Sequence, residues 1–461
     1  MLERQIIEKI FKTALESGDF AEIFFEEKNN FSLTLSSQKI EKVVSGNEFG
    51  VGIRILDGSN VVYGYTNNLS DENLILITKK LADSLETKST SRDVKIGEAV
   101  VEVNQHKIKR MPNTVPMKEK VELLKKIDKV ARDYDKKITQ VEVMYFETVQ
   151  NIKIINSEGL NTKDTRVSTR IAVECIAKDG ENVQTGFCGQ GSQKGFELFS
   201  DDIDVTEIAK EAARQAMILL SADDAPSKEM TVIMENGFGG VIFHEACGHG
   251  LEATSVAKKL SIFSDKIGEK IASSCVTAID DGTISNGWGS MNIDDEGNKT
   301  QKNVLIKDGI LQGYMIDKLG ARRMKEKSSG SGRRESYKFA PTSRMTNTFI
   351  APGTSTLEDM LKGIKIGLYA KSMGGGSVDT TTGDFNFSVR EGYLIENGKI
   401  TSPVKGATLI GSGPEILHKI DMVGDNLSFA QGMCGSVSGS IPADVGQPRI
   451  RISSIIVGGK K

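Results

Sequence analysis

No apolar run in this 461-residue chain approaches the ~18 residues needed to cross a bilayer, so no helical membrane span is expected. Cysteine is scarce and unpaired: five residues, an odd number with no Cys-x-x-Cys, which excludes a disulfide framework and points to a reducing compartment. There is no excess of either charge, with 59 Lys and Arg against 62 Asp and Glu, so no global field favours nucleic acid or an anionic membrane. No secretory leader is expected either. Residues 1–11 interleave charges with apolar residues at helical spacing and read as an amphipathic helix. Histidine is the rarest of the chemically versatile residues, with four in all.

Two of those four fall within six residues, in His244-Glu245-Ala246-Cys247-Gly248-His249. Neutral imidazole is a good ligand for zinc, and a carboxylate beside the first ligand can act as general base on an activated water without binding the ion. The usual spacing for such a pair is four residues, on one face of a helix. Here it is five, and at about 100° per residue a regular α-helix turns the two side chains roughly 140° apart. A wide turn bonded from i to i+5 realigns them, and Gly248 is the residue type that tolerates such a distortion or a helix end. A hydrolytic site needs a third ligand and an open position. The candidates are His106, His418, the five cysteines and any carboxylate. Cys434 stands out because Gly432 and Gly435 allow close backbone approach around it. His418 lies on a short helical pattern, and Cys247 reads as a small thiol packed behind the motif.

The first 220 residues repeat one plan. Helices near 2–17 and 71–86 enclose strands near 21–27, 31–36, 50–56 and 61–66. Helices near 117–134 and 204–220 enclose strands near 138–146, 150–156, 166–176 and 183–188. Asp57-Gly58 and Asp179-Gly180 mark turns at matching places, and the polar stretch 87–115 reads as the connection. Glycine density then rises: 13 of the 47 glycines lie in 1–220 and 34 in 221–461, which places a boundary near 221–228. Beyond it, 231–234 reads as a buried strand, Asn236 as a helix N-cap and 239–247 as a helix. Asp308-Gly309 and Asn397-Gly398 signal hairpins in a sheet-rich region. The expected architecture is α+β: duplicated antiparallel α+β N-terminal units, 1–87 and 112–220, followed by a β-rich, barrel-like C-terminal domain, 225–461, carrying the metal site.

Three further features carry less. Gly237-Phe238-Gly239-Gly240 opens a helix after a strand, but Ile242 replaces the last glycine of a dinucleotide fingerprint. The glycine-rich run 374–383 lacks a Gly-Lys-Ser/Thr ending and reads as a flexible loop beside the site rather than a phosphate nest. Arg322, Arg323, Lys325, Lys327, Arg333, Arg334 and Lys338 form a basic segment, read as a solvated or peptide-carboxylate-binding loop in preference to a nucleic-acid patch.

Motifs along most of the chain resemble the TldD/PmbA family, in its metal-bearing TldD branch. They are Phe243 to Ala253, Asp280-Asp281-Gly282-Thr283 with Gly287-Trp288-Gly289-Ser290, Ile293 to Gly297, Gly332 to Tyr337, Arg344 to Thr348, Gly375 to Asp379, Met433-Cys434-Gly435 and Val445 to Pro448. The chain departs from the family pattern after Cys434-Gly435, where Ser436 to Ser440 stands in place of Lys-x-Gly-Gln. The resemblance implies a cytoplasmic zinc metalloprotease acting on unfolded or short peptides, with His244, His249 and Cys434 holding Zn2+ and Glu245 as catalytic base. It also implies a dimer, with itself or with a metal-free TldE/PmbA-like subunit. The alternatives are a noncatalytic modulator of the same family and, more weakly, a nucleic-acid-associated modulator.

Overall fold

The computed structural model describes residues 3–85, 93–379 and 382–459. Leu2 and Glu86, at the ends of two expected helices, residues 87–92 of the expected connection, and Thr380 and Thr381 of the glycine-rich run lie outside the described residues.

In the N-terminal half, helix α1 (Arg4–Ala14) buries Ile6, Ile7, Ile10, Phe11 and Ala14, a single stripe at helical spacing. Helix α2 (Asp71–Asp83) starts at Ser70, whose hydroxyl accepts the Asn73 N–H. Both pack on the antiparallel strands β1 (Phe20–Ser36), β2 (Lys39–Asp57) and β3 (Asn60–Thr66). Helices α3 (Met117–Arg132) and α4 (Val205–Leu220) cover strands Ile138–Asn156, Asn161–Asp179 and Asn182–Ser192 in the same way. The two units do not form separate sheets. β1 pairs antiparallel with Ile138–Asn156 from Glu22↔Asn156 to Ser36↔Glu142, and the result is one seven-stranded sheet.

The expected breaks near residues 28–30 and 147–149 are absent, because β1 and Ile138–Asn156 each run unbroken past them. The polar interruption reflects a change of neighbour, not a turn. Ala21 and Ile23 face the α1/α2 core while Leu33 and Leu35 face the α3/α4 core. Since strand side chains alternate, all these odd-numbered residues lie on one face of the sheet. The even-numbered ones, Glu22, Phe24 and Glu26 among them, face the C-terminal half: Phe24 packs with Ile293 and Tyr337, and Glu26 accepts the Tyr337 N–H at 2.7 Å.

The C-terminal half holds a closed five-stranded barrel of Lys228–Met234, Ile450–Gly458, Thr408–Ser412, Asp384–Glu396 and Ile366–Val378. The ring closes because Ile366–Val378 pairs with both Asp384–Glu396 and Lys228–Met234. Val232, Leu368, Phe387, Leu409 and Ile452 are buried in its core. Beside it, a six-stranded sheet ends on the hairpin Gly439–Gln447 and Ser428–Ser436, with Ser428–Ser436 at the edge. Asp308-Gly309 and Asn397-Gly398 turn with positive φ at both residues, the geometry of tight hairpins.

Two expectations are corrected here. Gly374 to Val378 belongs to the barrel strand Ile366–Val378 and is not a free loop, although Gly383, near the tip of the same hairpin, does come close to the Ala246 carbonyl. The basic segment is not solvated as a whole. Arg333 and Arg334 are buried, and the segment staples the two halves together through Arg322 to Asp19, Arg334 to Glu22 at 2.6 Å and Lys338 to Glu48 at 3.3 Å. Arg54 completes this junction between Glu22 at 2.8 Å and Glu296 at 2.6 Å. No helix of the described residues is long and apolar enough to cross a membrane.

Candidate metal centre

The motif lies between the barrel strand Lys228–Met234 and the six-stranded sheet. It is not one regular helix. A 3-10 turn (Gly237–Gly240), a short α segment (Val241–Phe243), a π turn (His244–Gly248) and another 3-10 turn (His249–Leu251) follow in series. Gly239 and Gly240 press against Gln447 and Gly446, where an added Cβ would meet atoms at 2.4 and 2.6 Å. The Asn236 side chain caps nothing and instead donates to the Asn426 carbonyl at 2.7 Å.

The π turn solves the spacing problem. The His249 N–H donates to the His244 carbonyl, five residues back, so the two imidazoles fall on one side. Their ring centroids are 5.3 Å apart at 87°. Gly248 has ordinary helical φ and ψ, so its glycine is not required by backbone strain; a Cβ there would lie 2.3 Å from the Met345 sulfur.

Cys434, on the edge strand Ser428–Ser436, completes the cluster. Its Sγ is 3.2 Å from His244 Nε2 and 3.3 Å from His249 Nε2. One ligand atom from each of the three residues lies within 4.8 Å of the others. Sulfur at about 2.3 Å and nitrogen at about 2.05 Å from a tetrahedral ion stand roughly 3.6 Å apart, so the observed spacing needs only a few tenths of an ångström of relaxation to take one. The donor set fits as well. Burial raises the Cys434 thiol pKa, but the charge of His244 and hydrogen bonds from both imidazoles bring it down to about 4, into thiolate form. His244 Nδ1 is buried with no partner among the described residues.

Glu252 orients the second imidazole: its carboxylate is 3.2 Å from His249 Nδ1, which leaves Nε2 facing Cys434. Burial opposes protonation of His249, yet Glu252 and Cys434 raise its pKa well above the ordinary value. Arg344, fully buried, donates to the Cys434 carbonyl and, at 2.9 Å, to both Ser438 Oγ and the Gly439 carbonyl. It therefore anchors the turn where the chain departs from the family pattern. Sequence reasoning assigned no role to Glu252 or Arg344. The His-x-x-Glu spacing of 249 and 252 was a usable signal, whereas nothing local marks Arg344.

Glu245 sits on the open side, about one-third exposed, with Oε2 3.6 Å from His249 Nε2. The other candidates lie elsewhere. His106 accepts the Asn286 N–H at 2.9 Å between the two halves, and burial lowers its pKa. His418 is exposed in the last turn of Gly413–Lys419. Cys247 is buried in the core behind the motif, and burial pushes its thiol up.

Three family models cover most of the chain. PmbA/TldA metallopeptidase domain 1 matches residues 21–86, the central domain 110–220 and the C-terminal domain 227–459. A metalloprotease TldD homolog of Haemophilus influenzae is 40% identical over 448 residues, covering 96% of this chain and 93% of that one. A metalloprotease of Methanocaldococcus jannaschii is 35% identical over 456 residues, covering 98% and 99%. Among solved structures, TldE from Thermococcus kodakarensis superposes with a TM-score of 0.76 at 20% identity, covering 98% of this chain and 100% of that one. A Thermotoga maritima protein described as a modulator of a DNA gyrase superposes with a TM-score of 0.81 at 23% identity, covering 98% and 99%. At those identities the two structures speak for the fold alone. Fold, cluster and relatives together define a metallopeptidase, a hydrolase. More particularly, the chain belongs to the PmbA/TldD metallopeptidase family, and several of its curated relatives, that of Haemophilus influenzae among them, carry the TldD name.

Proposed function

We propose that this chain is a zinc metalloprotease that hydrolyses peptide bonds in unfolded or short peptides, with His244, His249 and Cys434 as zinc ligands and Glu245 as catalytic base. The observation that carries the reading is the convergence of the two imidazoles and the thiol, with one carboxylate on their open side. Zinc held by these three residues would supply Lewis-acid polarisation of a carbonyl and lower the pKa of water toward neutrality. Glu245, on the open side, is the group placed to take a proton from an attacking water and to give it to the leaving nitrogen. Glu252 fixes the tautomer of His249, and Arg344 holds the backbone of Cys434. Because Cys434 lies on an edge strand, an extended peptide can add to that edge through backbone hydrogen bonds with little side-chain selectivity.

The same reading divides the chain at 1–87, 112–220 and 225–461 and places it in the cytoplasm. It includes a dimer, with itself or with a metal-free TldE/PmbA-like subunit. Val43, Val44 and Phe49 on β2, each more than two-fifths exposed, are the apolar surface such a partner would cover. A noncatalytic modulator role fits less well, since the ligands and Glu245 are all present. A nucleic-acid role is weakened because much of the basic segment is spent on contacts within the chain. The test is metal analysis of the purified protein beside cleavage of an unfolded peptide. Zinc near one per chain and cleavage abolished by chelator and restored by zinc are expected; a zinc-loaded protein, alone or with its partner, that cleaves no peptide would overturn the reading.

A further inference from the structure

A cavity of about 380 Å³ lies between the even-numbered face of the N-terminal sheet and the C-terminal half. Five of its lining side chains are cationic and only two are carboxylates. Both carboxylates are engaged: Asp295 with Arg166 at 2.7 Å and with the Arg334 N–H, Glu335 with the Ser440 N–H. Arg334 is paired with Glu22.

Of the other three cations, Lys28 is part-exposed and acts on Glu26, while Arg170 and Arg333, on opposite walls, have no ion pair among the described residues. Arg333 is 4% exposed, gives one hydrogen bond to the Met345 carbonyl, and has a buried, unpartnered Nε. Arg170 donates no side-chain hydrogen bond among the described residues, and its Nε is also buried. It rests against the Trp288 ring, 5.8 Å from the centroid, with Asp444 acting on it only from beyond ion-pair distance. Asp295 and Asp280 act on Arg333 only from beyond ion-pair distance; a guanidinium does not shed its proton and an unpaired buried charge is expensive, so an anion in direct contact would stabilise these walls. The planar fork of arginine suits a carboxylate.

The cavity reaches the hairpin that carries Cys434, although His244, Glu245, His249 and Cys434 do not themselves line it. Met433, half exposed at its edge, precedes Cys434 on the strand, and Ile441, the residue paired with Cys434, also lines it. Side chains alternate along a strand, so Met433 faces the cavity while Cys434 turns to the cluster on the other face, and a peptide that occupies both passes the edge of this hairpin.

We propose that this cavity is a carboxylate subsite of the substrate, in which Arg170 and Arg333 take the carboxylate of a peptide's C-terminus or of an acidic side chain. The identity of the ligand as a peptide rests on the peptidase reading above; the preference for carboxylate does not.

Trp288 is the chain's only tryptophan and lines the cavity, so its emission reports occupancy without turnover. The probes, none of which contains a bond between two amino acids, are acetyl-leucine, acetyl-leucinamide and acetyl-glutamate α-amide, titrated into the metal-loaded full chain. A saturable change with one or both acids, and none with acetyl-leucinamide, is expected; the tighter of the two acids identifies the source of the carboxylate. Arg170→Gln should raise the half-saturating concentration about tenfold or more, with metal content unchanged. An amide that titrates like the acids, or an Arg170→Gln protein that binds them like the wild type, overturns the proposal. The acid and amide comparison in the wild type stands even where the variant fails to fold. Acid-selective titration in a protein that cleaves no peptide removes the peptidase reading and leaves the subsite standing.

Discussion

Cys434 Sγ lies 3.3 Å from His249 Nε2 although 185 residues separate them in the chain. The ligand set depends on that contact. Cys434→Ser is therefore expected to lose most of the bound zinc, while Cys247→Ser, which alters a thiol buried in the core, keeps it. Metal content by atomic absorption decides the matter, and equal zinc loss in the two variants would remove Cys434 from the site.

Glu245, about one-third exposed, lies on the open side of the cluster. Glu245→Gln should retain metal and fold but lower kcat by a factor of order 10² or more, the usual size of general-base assistance. Undiminished turnover in a variant with normal zinc content would show that the proton goes elsewhere.

Glu252 acts through His249. Glu252→Gln is expected to weaken zinc binding by about 10- to 100-fold, the usual effect of losing the partner that orients a ligand imidazole. A chelator-competition titration measures this directly, independently of activity. Zinc affinity equal to the wild type would leave Glu252 a purely structural residue.

The junction between the halves contains Arg334, whose side chain is fully buried against Glu22. Arg334→Met should lower unfolding stability by about 3 kcal/mol, since part of the Glu22 charge loses its compensation in a buried site. Arg54 remains 2.8 Å from Glu22, which keeps the loss at the lower end of the usual range. Arg323→Ala, which gives up one exposed hydrogen bond to the Ser59 carbonyl, should change stability by less than about 1 kcal/mol. Urea unfolding of the two variants tests the contrast.

Burial raises the Asp444 carboxyl pKa to about 7, against the hydrogen bond it accepts from the Trp288 N–H. In an unfolded chain the same group titrates near about 4. Between those values the folded protein holds the extra proton. Raising the pH through that window therefore lowers stability, and lowering it through 7 restores it, by up to about 1.4 kcal/mol per pH unit for a single group. Asp294, pushed up to about 8 by burial and Glu296, adds to the slope. Asp444→Asn keeps an acceptor for Trp288 and should flatten the fall in urea midpoint between pH 5 and 7. A slope identical to the wild type would mean that Asp444 is ionised throughout.

The local chemistry of the site was legible in the sequence because it is a matter of near neighbours. Five-residue spacing can bring two imidazoles together only through a wide turn, and the His249 N–H to His244 carbonyl bond is that turn. Helix stripes such as Ile6, Ile7, Ile10 and Phe11, and the positive-φ turns at Asp308-Gly309 and Asn397-Gly398, follow from the same short-range rules. Cys434 was marked by its glycines, but only the placing of Ser428–Ser436 as the edge strand beside the motif brings the sulfur to the imidazoles. Strand alternation shows which residues share a face and not what that face meets. The polar centre of β1 therefore read as a break, and Arg333 and Arg334 as parts of a solvated or peptide-carboxylate-binding loop, with no sign of their burial. Tertiary structure decided both, because the free energy of a charged side chain depends on the partner and solvent it meets after folding. Glu22 and Arg334, 312 residues apart, become partners only when the sheet and the C-terminal half close on one another.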